Sequence, residues 1–286
     1  MTSTTYAYYP GCSLHSSARE YDVSARLVCR ALGIELRELE GWACCGASSA
    51  HLTDPSLALA LPARELYLAG EAGLPLAVAC AMCFARLKLA AQELSEGPAR
   101  TRAEGLLGHK LRRNGKVIHL LEILEGEAPS AHLVRPLLGL RVACYYGCLL
   151  VRPEAIALDD AERPTMMDRL VRTLGAEPVE WAFKTECCGA SFALSQPEVV
   201  LRLSHHLLRQ GRNAGADCLA VACPMCQSNL DTYQRAMKAN YGDDFEIPVL
   251  YFSQLFGLAL GFSPKELLLR RHFTSPMPML AQRGLI

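Results

Sequence analysis

Val78-Ala79-Cys80-Ala81-Met82-Cys83 and Val221-Ala222-Cys223-Pro224-Met225-Cys226 are two copies of one phrase, 143 residues apart. A second pair keeps that offset: Cys44-Cys45-Gly46-Ala47-Ser48 returns as Cys187-Cys188-Gly189-Ala190-Ser191. Two different motifs repeated at one offset mark an internal duplication. Before each Cys-x-x-Cys pair runs a short apolar stretch, residues 76–79 and 218–222, and after it a helical pattern, residues 84–94 and 225–237. Such a passage from strand to helix is the unit of an α/β layer.

Outward from these phrases, the same alternation continues. Residues 4–9 alternate with aromatics and predict a strand. Val23, Leu27, Val28 and Leu32 predict a helix over 17–32. Residues 55–70 are rich in Ala and Leu, with Asp54 placed to cap a helix and Pro55 at its first position. In the second half, 140–145 predicts a strand, and 164–175 and 197–211 predict helices. Tyr8-Tyr9-Pro10-Gly11-Cys12 pairs with Tyr145-Tyr146-Gly147-Cys148, and Val117-Ile118-His119-Leu120 sits where Val249-Leu250-Tyr251-Phe252 sits. Residues 249–262 predict an amphipathic or buried helix. Residues 274–286, with Pro276 and Pro278 and no helical period, predict an extended arm. The expected fold is α/β: two pseudo-duplicated domains, 1–130 and 137–286, with mostly parallel sheets flanked by helices. The second domain carries the C-terminal arm, and the join falls near 126–136, where Gly, Pro and Ser gather.

Composition narrows the function. Of 286 residues, 51% are hydrophobic and 20% charged, which excludes a disordered chain. Lys plus Arg and Asp plus Glu both number 29, so no global field draws nucleic acid or an anionic membrane. The first ten residues have no basic or apolar signal region. The longest apolar stretch, 248–262, is broken by Ser253, Gln254 and two glycines, and is shorter than the ~20 residues of a membrane span. A cytoplasmic protein is expected. Reducing conditions there make the 13 cysteines metal ligands or redox groups rather than disulfides, and an odd number cannot all pair.

Each half offers five of them: Cys12, Cys44, Cys45, Cys80 and Cys83, then Cys148, Cys187, Cys188, Cys223 and Cys226. Cys12, Cys80, Cys148 and Cys223 all fall at the carboxyl ends of predicted strands, where α/β folds gather ligands. Soft thiolates select zinc, copper(I) or iron–sulfur clusters. Adjacent cysteines discriminate, because their side chains diverge too far for one tetrahedral ion, whereas a cluster with several iron corners takes both. Four cysteines complete a [4Fe–4S] cube. A fifth calls for a bridging thiolate or an open, non-cube cluster.

The pattern resembles the cysteine-rich CCG domain, present twice, as in the B-type subunit of heterodisulfide reductase. The resemblance covers nearly the whole chain. It implies two non-cubane [4Fe–4S] clusters, each held by the five cysteines of one half. It implies an oxidoreductase acting on sulfur groups as a subunit of a complex: a disulfide is cleaved or formed between the clusters, which supply one electron each. The implied partners are a ferredoxin-like C-type subunit, a flavin-containing A-type subunit and a disulfide or thiol substrate. Two alternatives stand beside it: thiol or persulfide oxidation in a sulfur-oxidising complex, and a non-catalytic electron-transfer subunit linking a dehydrogenase to quinone. No Gly-x-Gly-x-x-Gly follows a strand, so no dinucleotide site is expected.

His15, Arg86 and Lys184 lie near these cysteines and are candidates for holding an acidic substrate tail or a thiolate, against an ordinary structural or solvated charge. Cys29, Cys144 and Cys218 read as buried small hydrophobes. Met82 and Met225 read as packing around the clusters, Tyr8, Tyr9, Tyr145 and Tyr146 as walls of the sites, and His205-His206 as structural.

Overall fold

The computed structural model describes residues 4–112, 116–128, 131–243 and 246–286. Residues 129 and 130 of the expected join, and residues 1–3, lie outside the described residues. Among the described residues, eight strands form two sheets. The first has the order β2-β1-β3-β4, from β1 (Thr4–Tyr9), β2 (Ile34–Glu38), β3 (Leu76–Val78) and β4 (Val117–His119). The second repeats it as β6-β5-β7-β8, from β5 (Arg141–Tyr145), β6 (Glu177–Pro178), β7 (Cys218–Val221) and β8 (Val249–Tyr251). Every neighbouring pair is parallel. Parallel strands need crossovers, and the helices that supply them cover the sheets. Strands β3, β4, β7 and β8 are therefore buried throughout, which explains the apolar runs of β3, β7 and β8 and of Val117-Ile118 in β4.

Register refines the duplication. Tyr8 pairs with Ala77 and Tyr9 with Val78; Cys144 pairs with Ala220 and Tyr145 with Val221. Cys144 thus stands in the place of Tyr8, and Tyr145 in that of Tyr9. The expected match of Tyr8-Tyr9 to Tyr145-Tyr146 slips by one residue, and a slip of one reverses the face of a strand residue. Cys148 remains the counterpart of Cys12.

The halves share an apolar seam. Tyr21, on the helix Arg19–Ala31, stacks on Tyr251 with ring centroids 4.1 Å apart. Ser24 and Ser253 hydroxyls lie 2.7 Å apart beside them. The helix Phe252–Ala259, buried at every position, packs there.

Three expected elements differ. Residues 249–251 are strand β8, and the helix begins only at Phe252. The helix over 225–237 is two, Pro224–Thr232 and Gln234–Tyr241, broken at Tyr233. The tail holds a short helix, Met277–Gln282, rather than an extended arm. Pro276 and Pro278 sit at its start, where a missing N–H costs nothing. Leu280 and Leu285 are buried, and Arg135 donates to Leu285 O at 2.7 Å.

Candidate metal centres at the seam

Local chain geometry delivers each cysteine. Cys12 lies in the one-turn helix Gly11–His15 after β1. Cys80 and Cys223 are the N-caps of the helices Ala81–Glu93 and Pro224–Thr232, which places Cys83 and Cys226 in their first turns. Helix N-termini favour thiolates. The Cys-Cys-Gly loops are held from the sheet: Tyr9 Oη donates to Ala43 O at 2.8 Å and accepts the Cys45 N–H at 2.9 Å. Tyr145 Oη donates to Glu186 O at 2.6 Å.

The sulfurs adjoin one another in sequence. Cys45 contacts Cys44 and Cys83, Cys83 contacts Cys80, and Cys80 contacts Cys223 across the seam. Cys223 then contacts Cys226, whose sulfur lies 3.6 Å from that of Cys188. Cys148 contacts Cys187. Hydrogen bonding from Cys44 holds the Cys45 thiol down to about 3, and hydrogen bonding from Cys148 lowers Cys187 to about 6. In each half one thiol is thus biased toward the thiolate, the form that binds metal.

Two glycines leave room at the sulfurs. Gly11 (φ +69°) and Gly147 (φ +64°) both adopt the left-handed region. A Cβ on either would lie 3.3 Å from Cys83 Sγ or Cys226 Sγ. Among the described residues, no group of three or more His, Cys, Asp or Glu is arranged to hold a single metal ion. An all-sulfur set in pairwise contact within each half instead suits the several iron corners of an iron–sulfur cluster.

Ala81 and Met82 of the first half and Cys148, Cys188, Cys223 and Met225 of the second border one apolar cleft at the seam. It has a volume of about 20 Å³, room for a single water. A hollow of about 1020 Å³ lies elsewhere, beside Arg30 and His132, and is lined by none of these cysteines.

The three charged candidates are not brought together. His15 is exposed and packs edge-on to Trp42 at 5.5 Å. Arg86 donates to Ala58 O. That carbonyl is freed because Pro62, inside the helix Pro55–Ala72, has no N–H to offer it. Lys184 is buried and paired with buried Asp168 at 2.7 Å. Its backbone carbonyl receives the N–H groups of Tyr146 and Gly147, just before Cys148. The hydroxyls of Tyr8 and Tyr146 turn to Asp22 and Asp168, so only the Tyr9 and Tyr145 hydroxyls serve the cysteine loops. Cys29, Cys144 and Cys218 are buried, and burial pushes the Cys29 thiol up to about 12. His205 pairs with Asp243 at 2.6 Å, and His206 packs edge-on to Phe183.

Several residues escaped sequence reasoning. Glu65 is fully buried; Oε1 receives the Ala43 N–H at 3.0 Å and Oε2 has no partner, and burial lifts its carboxyl to about 7. His119 Nδ1 accepts the Leu121 N–H, which leaves its Nε2–H to donate to Ala79 O at 2.8 Å; burial lowers it to about 4. Tyr21 donates to the same carbonyl at 2.8 Å, so the residue before Cys80 is fixed twice. Asn229 Nδ2 lies against the Cys188 loop. No motif marks these positions; only the folded surroundings reveal what each side chain faces.

Residues 6–88 and 142–231 each match the model of the cysteine-rich domain, so the protein is a tandem cysteine-rich-domain protein. It is 32% identical to the B-type subunit of the ferredoxin/F(420)H(2)-dependent CoB-CoM heterodisulfide reductase of Methanosarcina acetivorans, covering 96% of this chain and 95% of that one. It is 34% identical to the 8-methylmenaquinol:fumarate reductase membrane anchor subunit of Wolinella succinogenes, covering 92% and 94%. A crystal structure of a hypothetical protein from Helicobacter pylori superimposes with a TM-score of 0.78 at 16% identity. That match covers 95% of this chain and about half, 52%, of the other. The chain belongs to the family of cysteine-rich proteins that includes the B-type subunits of heterodisulfide reductase. Membership implies iron–sulfur clusters and an oxidoreductase role within a complex. No helix among the described residues is long and apolar enough to cross a membrane.

Proposed function

We propose that this chain is the catalytic iron–sulfur subunit of a heterodisulfide-reductase-like complex, cleaving or forming a disulfide at the seam between two non-cubane [4Fe–4S] clusters. One cluster takes Cys12, Cys44, Cys45, Cys80 and Cys83, the other Cys148, Cys187, Cys188, Cys223 and Cys226. The observation that carries this reading is the contact of Cys80 with Cys223, which brings the two Cys-x-x-Cys turns together across the seam, beside a cleft bordered by Ala81 and Met82 of the first half and by Cys148, Cys188, Cys223 and Cys226 of the second. When bound, such clusters supply one electron each and an iron able to hold a departing thiolate.

The chain's own residues do the rest. Splitting a disulfide consumes two electrons and gives two thiolates. The two Cys-x-x-Cys turns, which meet at Cys80 and Cys223, would receive one thiolate each. Met82 and Met225 line the cleft with apolar surface. Tyr9, Tyr145, Tyr21 and His119 fix the loops, so the two sites keep their separation through a turnover. Electrons would come from a ferredoxin-like C-type subunit and a flavin-containing A-type subunit in the cytoplasm. The ferredoxin-dependent heterodisulfide reductase names of relatives support that assignment.

The 34% identity to a subunit of an 8-methylmenaquinol:fumarate reductase favours a second reading, a relay between a dehydrogenase and quinone. One experiment separates the two. Disulfide reduction with an artificial one-electron donor is compared for Cys45→Ala and Cys188→Ala, with iron and sulfide measured anaerobically. Scission at paired sites predicts about eight irons in the unmodified protein and loss of activity in both variants. A variant that loses its cluster yet keeps near-full activity would establish the relay instead.

A further inference from the structure

Position 86 and its copy, position 229, are where two near-identical sites diverge. Each lies six residues beyond the first cysteine of its Cys-x-x-Cys pair, on the helix that follows. In the first half Arg86 is committed to Ala58 O, the carbonyl that Pro62 leaves without a partner. In the second half the helix Pro197–Asn213 has His205 at the place of Pro62, with its backbone N–H intact. No carbonyl there needs rescue, and Asn229 turns to the Cys-Cys-Gly loop instead. Its Nδ2 lies 3.1 Å from Ala190 O, 3.3 Å from Cys188 O and 3.5 Å from Cys188 Sγ. The side chain is buried, so water does not compete for these bonds. Of its two protons, one goes to Ala190 O and the other is shared between the carbonyl and the sulfur of Cys188.

Two backbone N–H contacts to sulfur are matched between the halves: Gly46 N to Cys44 Sγ at 3.4 Å, and Gly189 N to Cys187 Sγ at 3.3 Å. In the first half the Tyr9 hydroxyl, which donates to Ala43 O at 2.8 Å, also lies within hydrogen-bond reach of Cys45. Asn229 thus adds to the second sulfur set a side-chain amide donor that Arg86, committed to Ala58 O, does not supply to the first.

We infer that Asn229, by donating an N–H to Cys188 Sγ, raises the reduction potential of the second cluster and so makes the two sites unequal electron acceptors. The inference rests on the reading of Cys188 as a cluster ligand. The physical cause is charge: a cluster that gains one electron places more negative charge on its thiolates, and a buried N–H stabilises that state more than the oxidised one. The electron comes from the one-electron donor; no bond breaks, and the amide keeps its proton.

The test is an anaerobic redox titration followed by electron paramagnetic resonance, on the unmodified protein and Asn229→Leu, with the first-site signal as internal reference. At the potential where the unmodified second site is half reduced, the variant should show a reduced-to-oxidised ratio about three- to tenfold lower, tenfold being ~59 mV for one electron. A second arm needs no variant: protein labelled with ¹⁵N-asparagine should show a weak ¹⁵N coupling at the second cluster by pulsed resonance. An unmoved second-site midpoint in an iron-loaded variant, an equal shift at both sites, or absence of the ¹⁵N coupling overturns the inference. If the variant loses its second cluster, the labelled protein decides. Unmodified protein with no iron and sulfide would overturn the cluster reading itself, and the inference with it.

Discussion

Replacing Lys184 with methionine isolates what the buried charge does. Lys184 and Asp168 side chains are 8% and 4% exposed and lie 2.7 Å apart. Methionine keeps most of the apolar stem but leaves Asp168 Oδ1 without its cation. Tyr146 still donates to Oδ2 at 2.7 Å. Glu180, 3.8 Å from the ammonium, is 88% exposed, so its attraction is screened and its loss counts for under about 1 kcal/mol. Removing one member of a buried pair costs about 3–5 kcal/mol, because the remaining charge stays buried. At about 2–4 °C per kcal/mol for a chain of this size, the unfolding midpoint should fall by roughly 6–20 °C. The assay is far-ultraviolet circular dichroism during anaerobic heating of the cluster-loaded protein. Lys184→Met combined with Asp168→Asn removes the stranded charge and should recover more than half of the loss. A single variant that melts within about 1 kcal/mol of the original, or a double variant less stable than the single, would refute the buried-pair argument. If the Lys184→Met midpoint held and only KM for an acidic substrate rose, Lys184 would be a substrate contact instead.

Three further outcomes are expected. Cys144→Ala should keep the iron of both sites, because Cys144 lies in β5 in the place of Tyr8, whereas Cys148→Ala should deplete the second site; the reverse pattern of iron retention would show the strand register to be wrong. Gly189→Ala puts a Cβ at φ +95° and 3.0 Å from the backbone of Val200, which costs about 1–2 kcal/mol of conformational strain and about 1–3 kcal/mol of overpacking. Iron analysis should find the second site depleted and the first intact; full iron content would contradict it. His272 is buried between Gln227 and Gln254, and burial lowers it from 6.5 to about 4. As pH falls the unfolded chain takes up this proton first, so its contribution is present above pH 6.5 and lost as pH falls through about 4. His272→Gln should flatten the decline of the urea midpoint across that window, and an unchanged slope would exclude His272 as its source.

The amino-acid sequence by itself determined the duplication, the five-cysteine sets and the strand-to-helix turns that carry Cys80 and Cys223, because these are properties of neighbours in the chain. Alternation with aromatics identified β1, and apolar runs identified β3, β5 and β7. The edge strands β2 and β6 were not legible: Ile34–Glu38 is largely exposed, and Glu177–Pro178 is two residues long, so neither carries a period. The pairing of Tyr145 rather than Tyr146 with Tyr9 depended on the β5–β7 register, which is set by hydrogen bonds to a strand more than 70 residues away. Arg86, Lys184 and Asn229 show the same division most clearly. All three sit close to the candidate cysteines along the chain or at copied positions, yet their work was decided by distant groups: a carbonyl exposed by Pro62, the buried carboxylate of Asp168, and the sulfur of Cys188. A polar side chain takes the unsatisfied partner that folding brings within about 3 Å of it. Only the tertiary structure, by closing the seam at Tyr21, Tyr251, Cys80 and Cys223, decided which partner that was.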